Sequence, residues 1–218
     1  MGAEWRPCGQ SCKLNSCKNL TLVLLVSIMR DFEFKAGCIC LDLVDTVSAR
    51  GSEEFDLLAA PKDIVRWAKA SGGLTYIADS KPSKDDHLRL TRLREVVFRA
   101  AGDALSGSVA AEQDVAELNN AASLETSRAI LTADGMKVVA DRPLDALMVD
   151  VATDAISLLG TARKDRLRRC PGCNMLFFDS SPPGRRKWCS SAVGCGNRQK
   201  IRKHRQRQKD VTNSKAGT

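Results

Sequence analysis

The chain has 218 residues, 43% of them apolar and 5% aromatic, with a formal net charge of +8. That length holds one medium domain and one small one, with enough apolar residues for a real core. Nine cysteines, an odd number, argue against a secreted disulfide framework and for a reducing cytoplasm.

Residues 1–30 stand apart. Cys8, Cys12 and Cys17 precede an apolar run from Leu20 to Met29. The run is too short to span a bilayer. With Lys13 and Lys18 before it, it resembles a signal-peptide core, yet no small-x-small cleavage site follows. Met29 as the true start, with residues 1–28 outside the fold, is the reading adopted. A genuine N-terminal segment and an export signal are the alternatives.

From Gly37 to Val47 apolar residues are dense. Cys40, Leu43, Val44 and Val47 follow i, i+3, i+4, i+7, which predicts a buried helical turn or a strand entering a helix. Cys38 and Cys40 read as small buried hydrophobes. A helix is expected over 61–71, opened by Pro61, faced by Ile64, Trp67 and Ala68, and ended by Gly72-Gly73. Ser83 caps the next helix, with Asp86 at the capping-box position, and Leu90, Leu93, Val97 and Ala101 along one side. A further helix covers about 110–121. Arg128–Thr132 and Met136–Ala140 flank Asp134-Gly135, a hairpin signal. Pro143 opens the main core helix, through Leu147, Val151, Ala155 and Leu158 to Gly160.

Residues 161–169 read as a short basic bridge. Beyond it lie Cys170, Cys173, Cys189 and Cys195 in the pattern C-x2-C-x15-C-x5-C. Two close pairs separated by such a spacer are how a chain wraps one tetrahedral zinc ion. Four thiolates leave no open position, so the metal is expected to be structural. Leu176–Asp179 and Arg185–Cys189 are expected to pair as a hairpin, and Cys195 to begin a helix ending near Lys209. That makes a treble-clef-like zinc finger. The domains expected are 31–162, mostly helical with a small β-hairpin, and the finger over 163–209. A disordered tail follows over 210–218. The fold class is α+β.

Charge follows the same division. Residues 163–209 carry 15 Lys/Arg against two acids, and the rest of the chain carries 19 against 24. On the last helix Arg198, Arg202, Arg205 and Lys209 fall on one face, and Lys200, Lys203 and Arg207 on a second stripe. With Arg185, Arg186 and Lys187, these cations suit nucleic-acid phosphates. If one of these side chains reads a base edge rather than a phosphate, Arg198, nearest the metal-fixed end, is the candidate. Trp188 is expected to pack within the finger.

Cys170-x-x-Cys173, Phe177, Asp179, Arg185, Arg186, Trp188-Cys189-Ser190 and Cys195-Gly196-Asn197-Arg198 closely resemble the CGNR zinc finger. Cys40-Leu41-Asp42-Leu43-Val44-Asp45-Thr46-Val47 resembles the L-D-F-x-N-T opening of the ABATE domain that accompanies it. The resemblance covers about residues 34–209. It implies a stress-induced, DNA-binding transcription regulator whose first domain senses a small-molecule effector or forms a homodimer. Asp42, Asp45, Thr46 and Arg50 are then the ligand-contacting group. Asp45 stands where the family usually has asparagine, and the interval from Cys189 to Cys195 is one residue longer than usual, with Gly194 the candidate insertion. RNA or ribosome binding is the alternative partner class. Catalysis is not expected, since the chain has only His87 and His204 as histidines and no nucleophile motif. No membrane partner is expected.

Overall fold

The computed structural model describes residues 31–51, 54–190 and 194–216, with Lys209 and the residues from Val211 on described by backbone alone. The readings on residues 1–30, including the three early cysteines, lie outside the described residues. Phe32–Thr218 form one compact unit.

Among the described residues it contains six α-helices and three two-stranded antiparallel pairs. Helix α1 (Ile39–Val44) leads into the pair β1 (Val47–Ser48) and β2 (Phe55–Asp56). Then come α2 (Pro61–Ser71), α3 (Lys84–Ser106) and α4 (Glu112–Ala122). A hairpin of β3 (Arg128–Thr132) and β4 (Gly135–Val139) precedes α5 (Pro143–Gly160). The finger contains β5 (Leu167–Arg169), β6 (Leu176–Phe178) and α6 (Cys195–Ala216).

Helix α5 is the centre of the unit. Ala146, Leu147, Val151, Ala152, Ala155 and Leu158 on it are fully buried. A helix apolar on so many sides needs neighbours on several faces, and α5 packs on α1, α3 and α4. Helix α3 begins where Ser83 Oγ accepts from Asp86 N at 3.1 Å and Asp86 Oδ2 accepts from Ser83 N at 2.8 Å. Such a cap stabilises a helix by about 1 kcal/mol. Trp67 and Ile64 of α2 are wholly buried, as their spacing predicts.

The expected hairpin is present, one residue earlier on its second strand. Thr132 pairs with Gly135, so Ala133-Asp134 form the turn. Its tip is open to solvent, with Leu131 88% and Met136 76% exposed.

In the finger the pairing differs from the expectation. Strand β6 pairs with β5, Leu167 opposite Phe178, and the knuckle Cys170–Cys173 is the loop between them. The basic bridge folds as a 3₁₀ turn (Ala162–Arg166) followed by strand β5. Residues 185–189 form no strand. Arginines from the bridge take the nearby carbonyls instead. Arg166 Nη1 donates to Asp179 O and Ser181 O, and Arg168 Nη2 to Gly184 O. Helix α6 also continues to Ala216, through residues that the sequence reading assigned to a disordered tail.

Finger and helices share one core. Leu167, Cys170, Leu176 and Phe177 belong to the same buried cluster as Leu41, Val97 and Leu147. Phe98 of α3 lies under two guanidiniums, Arg50 at 4.2 Å and Arg169 of the finger at 5.7 Å.

Candidate metal centre and its surroundings

The tight turn Cys170-Pro171-Gly172-Cys173 is closed by two backbone bonds. Asn174 N donates to Cys170 O and Cys170 N to Met175 O, both at 2.9 Å. This directs two sulfurs to one side. Cys189 arrives after the arginine-held loop, and Cys195 opens α6. The four sulfurs lie within 4.8 Å of one another, with Cys173 and Cys189 Sγ 3.6 Å apart. A zinc ion bonded at about 2.3 Å to four tetrahedral sulfurs sets them about 3.8 Å apart. The donor set and the spacing fit one structural zinc ion.

The backbone around the sulfurs is cut to size. A Cβ on Gly172 would lie 3.0 Å from Cys195 Cβ and 3.1 Å from its Sγ. Trp188 covers both Gly172 and Gly196, whose added Cβ atoms would each meet its ring at 3.3 Å. The tryptophan thus packs within the finger. Gly194 has a φ of +64°, and its carbonyl accepts from Arg198 N at 2.9 Å, beginning α6. Hydrogen bonding to Cys189 and burial push the Cys173 thiol far above its ordinary range. A bound dication reverses that preference, since metal ligation requires thiolates.

Asp179 holds the loop between β6 and Cys189. It is fully buried. Its Oδ1 accepts from Ser181 Oγ at 2.6 Å and Ser181 N at 3.0 Å, and its Oδ2 from Arg186 N at 2.7 Å. The Ser181 hydroxyl, with these amides, keeps the carboxyl below its ordinary value.

The cations expected to meet nucleic acid divide. Arg185, Lys187, Arg198, Lys200, Arg202, Lys203 and Arg205 are exposed. Arg186 is turned inward, with its guanidinium 4.5 Å from the Phe177 ring centroid and bonded to Ser190 Oγ at 3.1 Å. Arg198 is exposed but engaged, since its Nη2 donates to Cys195 Sγ at 3.6 Å. Lys209 lies on α6, its side chain outside those described.

The four residues suggested for ligand contact are not gathered in one pocket. A cleft of ≈ 10 Å³ between α1 and the knuckle is lined by Asp45, Arg50, Phe98 and Cys173, which is room for about one water. Arg50 there forks onto Glu95 at 2.8 and 2.9 Å. Asp42 Oδ1 accepts from Ala36 N, and Thr46 Oγ1 donates to Leu43 O while accepting from Arg94 Nη1. Burial raises Asp42 to about 6, with Asp154 adding to the effect. Burial raises Asp45 to about 8, helped by Glu33, Asp42 and Cys189 and opposed by Arg50.

Sequence reasoning missed the network behind this cleft. Arg94, only 5% exposed, forks onto Asp56 at 2.8 Å and reaches Glu95 at 2.8 Å. These partners lie 38 residues and one residue away in sequence, so no local period reports them. His87 is structural, its Nε2 donating to Leu58 O at 2.6 Å.

Fold and centre together define a helical domain joined to a four-cysteine zinc finger, the build of a zinc-finger regulator. Residues 37–162, more than half of the chain, match the ABATE family model, described as "Putative stress-induced transcription regulator". Residues 166–208 match the CGNR zinc finger. The chain belongs to the ABATE family and carries its zinc finger C-terminal to that domain. Neither description is that of an enzyme. No match to a curated protein was found. No helix among the described residues is long and apolar enough to cross a membrane.

Proposed function

We propose that this regulator binds duplex DNA through its zinc finger, with α6 as the contact element and the helical domain as the regulatory half, by ligand sensing or dimerisation. One observation carries the reading. Helix α6 is fixed at its N-terminus by the zinc cysteine Cys195 and bears exposed Arg198, Lys200, Arg202, Lys203, Arg205 and Arg207. Its first described apolar side chain after Cys195, Ile201, is itself 44% exposed. A helix so poor in apolar cover does not form for the sake of a core. Its cations gain most from a partner with regularly spaced negative charge, and phosphates on a duplex supply that. Exposed Arg185 and Lys187 extend the basic surface on the finger's loop.

The test is fluorescence anisotropy of the full chain on labelled duplex DNA, duplex RNA and single strands over a salt series. The expected result is tightest binding to duplex DNA, with log K falling against log salt by about 0.9 per phosphate contact. Tighter binding to RNA at matched salt overturns the DNA reading in favour of the RNA alternative.

A further inference from the structure

Outside the finger, a second set of ligating side chains converges among the described residues. Cys38 at the N-terminal edge of α1, Cys40 in its first turn and Asp154 of α5 bring their ligand atoms within 4.8 Å of one another. The Sγ atoms of Cys38 and Cys40 are 3.6 Å apart. That is the separation of Cys173 and Cys189 in the finger, and it is close to the edge of a tetrahedron built on metal–sulfur bonds of about 2.3 Å. The backbone produces this approach. Cys38 is extended, with φ −161° and ψ 153°, and the chain turns helical at Ile39. The change of path brings the sulfurs of i and i+2 to one side.

The third ligand is held in place. Asp154 Oδ2 accepts from Cys40 N at 3.1 Å, and Oδ1 from Arg163 Nη1 at 3.0 Å. Arg163 is itself positioned by Ser157 Oγ at 3.0 Å. An ionised carboxylate has about four lone-pair sites, so both bonds leave room for a cation, and such outer contacts fix a ligand's orientation. Access exists as well. Cys40 is wholly buried, but Cys38 is half-buried and the Asp154 side chain is 18% exposed. Asp42 adds negative potential, Arg163 positive. A role as hydrophobic filler accounts for Cys40 but not for a second, only partly buried cysteine placed against it beside a carboxylate.

We propose that Cys38, Cys40 and Asp154 form a second metal site, taking one thiophilic divalent cation of the zinc–cadmium class. Two thiolates and a carboxylate suit a borderline-soft ion. The two thiols release two protons as the two metal–sulfur bonds form. The finger's four thiolates close its coordination, whereas three ligands here leave a position for solvent, so this ion exchanges more readily. The site adjoins the strap between the domains, because Gly37 packs on Phe178 and Ala36 accepts a bond from Phe178 N. The proposal does not depend on DNA binding.

The test uses the full chain with Cys8, Cys12 and Cys17 replaced by Ala and the finger loaded with zinc. Cobalt(II) is titrated as the probe and zinc is then added in competition. One further equivalent of cobalt is expected, with thiolate-to-cobalt charge-transfer absorption that zinc abolishes. Cys38→Ala and Asp154→Asn, each checked by circular dichroism and by one retained finger zinc, should weaken it at least as much as the roughly 10–100-fold cost of losing an outer-shell partner. Absence of a second equivalent in the parent chain overturns the proposal. So does its retention at full affinity in both variants.

Discussion

The backbone N–H of Phe178 donates to the carbonyl of Ala36 at 2.7 Å, joining the finger's strand β6 to the segment that leads into α1. Residues 142 positions apart in sequence are thereby made neighbours. Around this bond the side chains of Phe177 and Leu176 enter the same buried cluster as Leu41 and Leu43. The finger is a structural wall of the helical domain as well as an appendage to it.

Metal loss should therefore reach the helices. A finger folded by its metal alone would unfold in Cys173→Ser and leave the helices intact. The shared core changes that expectation. Cys173→Ser should lose the single finger zinc and lower the melting temperature of the helical signal. A loss of about 2 kcal/mol corresponds to about 4–8 °C for a chain of this size. Metal analysis and a circular-dichroism melt check it. An unchanged helical melt alongside lost zinc would show that the finger folds as an independent unit.

The strap has its own probe in Gly37. Its φ is +91°, and a Cβ there would lie 2.9 Å from Phe178 O. Gly37→Ala adds backbone strain of about 1–3 kcal/mol to a clash with a backbone carbonyl. Gly72→Ala is the control, since Gly72 has a φ of +72° with nothing within 4 Å. Denaturant unfolding should rank Gly37→Ala as clearly the more destabilising. Equal costs would mean that the close approach to Phe178 contributes nothing.

Asp45 predicts a pH dependence. Its carboxyl titrates near 3.8 when unconstrained and at about 8 in the fold, mainly through burial. The folded state then holds its proton more tightly, so this group's contribution to stability falls as pH rises from about 4 to about 8. Asp45→Asn removes the titration and supplies the amide usual at this position in the resembling family. The variant should melt higher than the parent near pH 8, by several degrees at about 2–4 °C per kcal/mol. The gap should shrink towards pH 4. Comparing the two chains at each pH cancels zinc loss common to both. A gap independent of pH would mean that Asp45 is ionised throughout.

Much of the fold is legible in the sequence because much of it is local. The 3.6 spacing of Leu90, Leu93 and Val97, the cap at Ser83 and the apolar run after Pro143 each specify a helix without outside help. The cysteine spacing specifies the metal centre in the same way. The finger's first strand was not legible. Leu167-Arg168-Arg169 has one apolar residue in three, and it becomes a strand because the knuckle folds it back on Leu176–Phe178. Asp179 was visible as a motif residue, but its work on Ser181 and Arg186 depends on a loop closed by distant arginines. The pairing of Cys38 with Asp154 spans 116 residues and leaves no local trace.

The cations of α6 should separate into two roles. Arg198 was the expected base reader, on the ground that the metal-fixed end is the most rigid. Its guanidinium also donates to Cys195 Sγ at 3.6 Å. A hydrogen bond from a cation favours the thiolate form of a ligand. Arg198→Ala should therefore weaken zinc retention about 10–100-fold, the usual cost of an outer-shell partner, and any loss of DNA affinity should follow from that. Arg202 and Arg205 are exposed, and neither is bonded to a sulfur among the described residues. Arg202 reaches Gln199 on its own helix, a contact that phosphate can replace. Replacing both by Ala should leave zinc retention unchanged and flatten the log–log salt slope by about 1.8, at roughly 0.9 per phosphate. Competition with a chromophoric chelator reads the first effect and anisotropy over a salt series the second. Unaltered zinc retention with relaxed sequence preference in Arg198→Ala would restore the base-reading role. An unaltered slope in the double variant would mean that this face of α6 does not meet nucleic acid, and the proposed function would lose its main support.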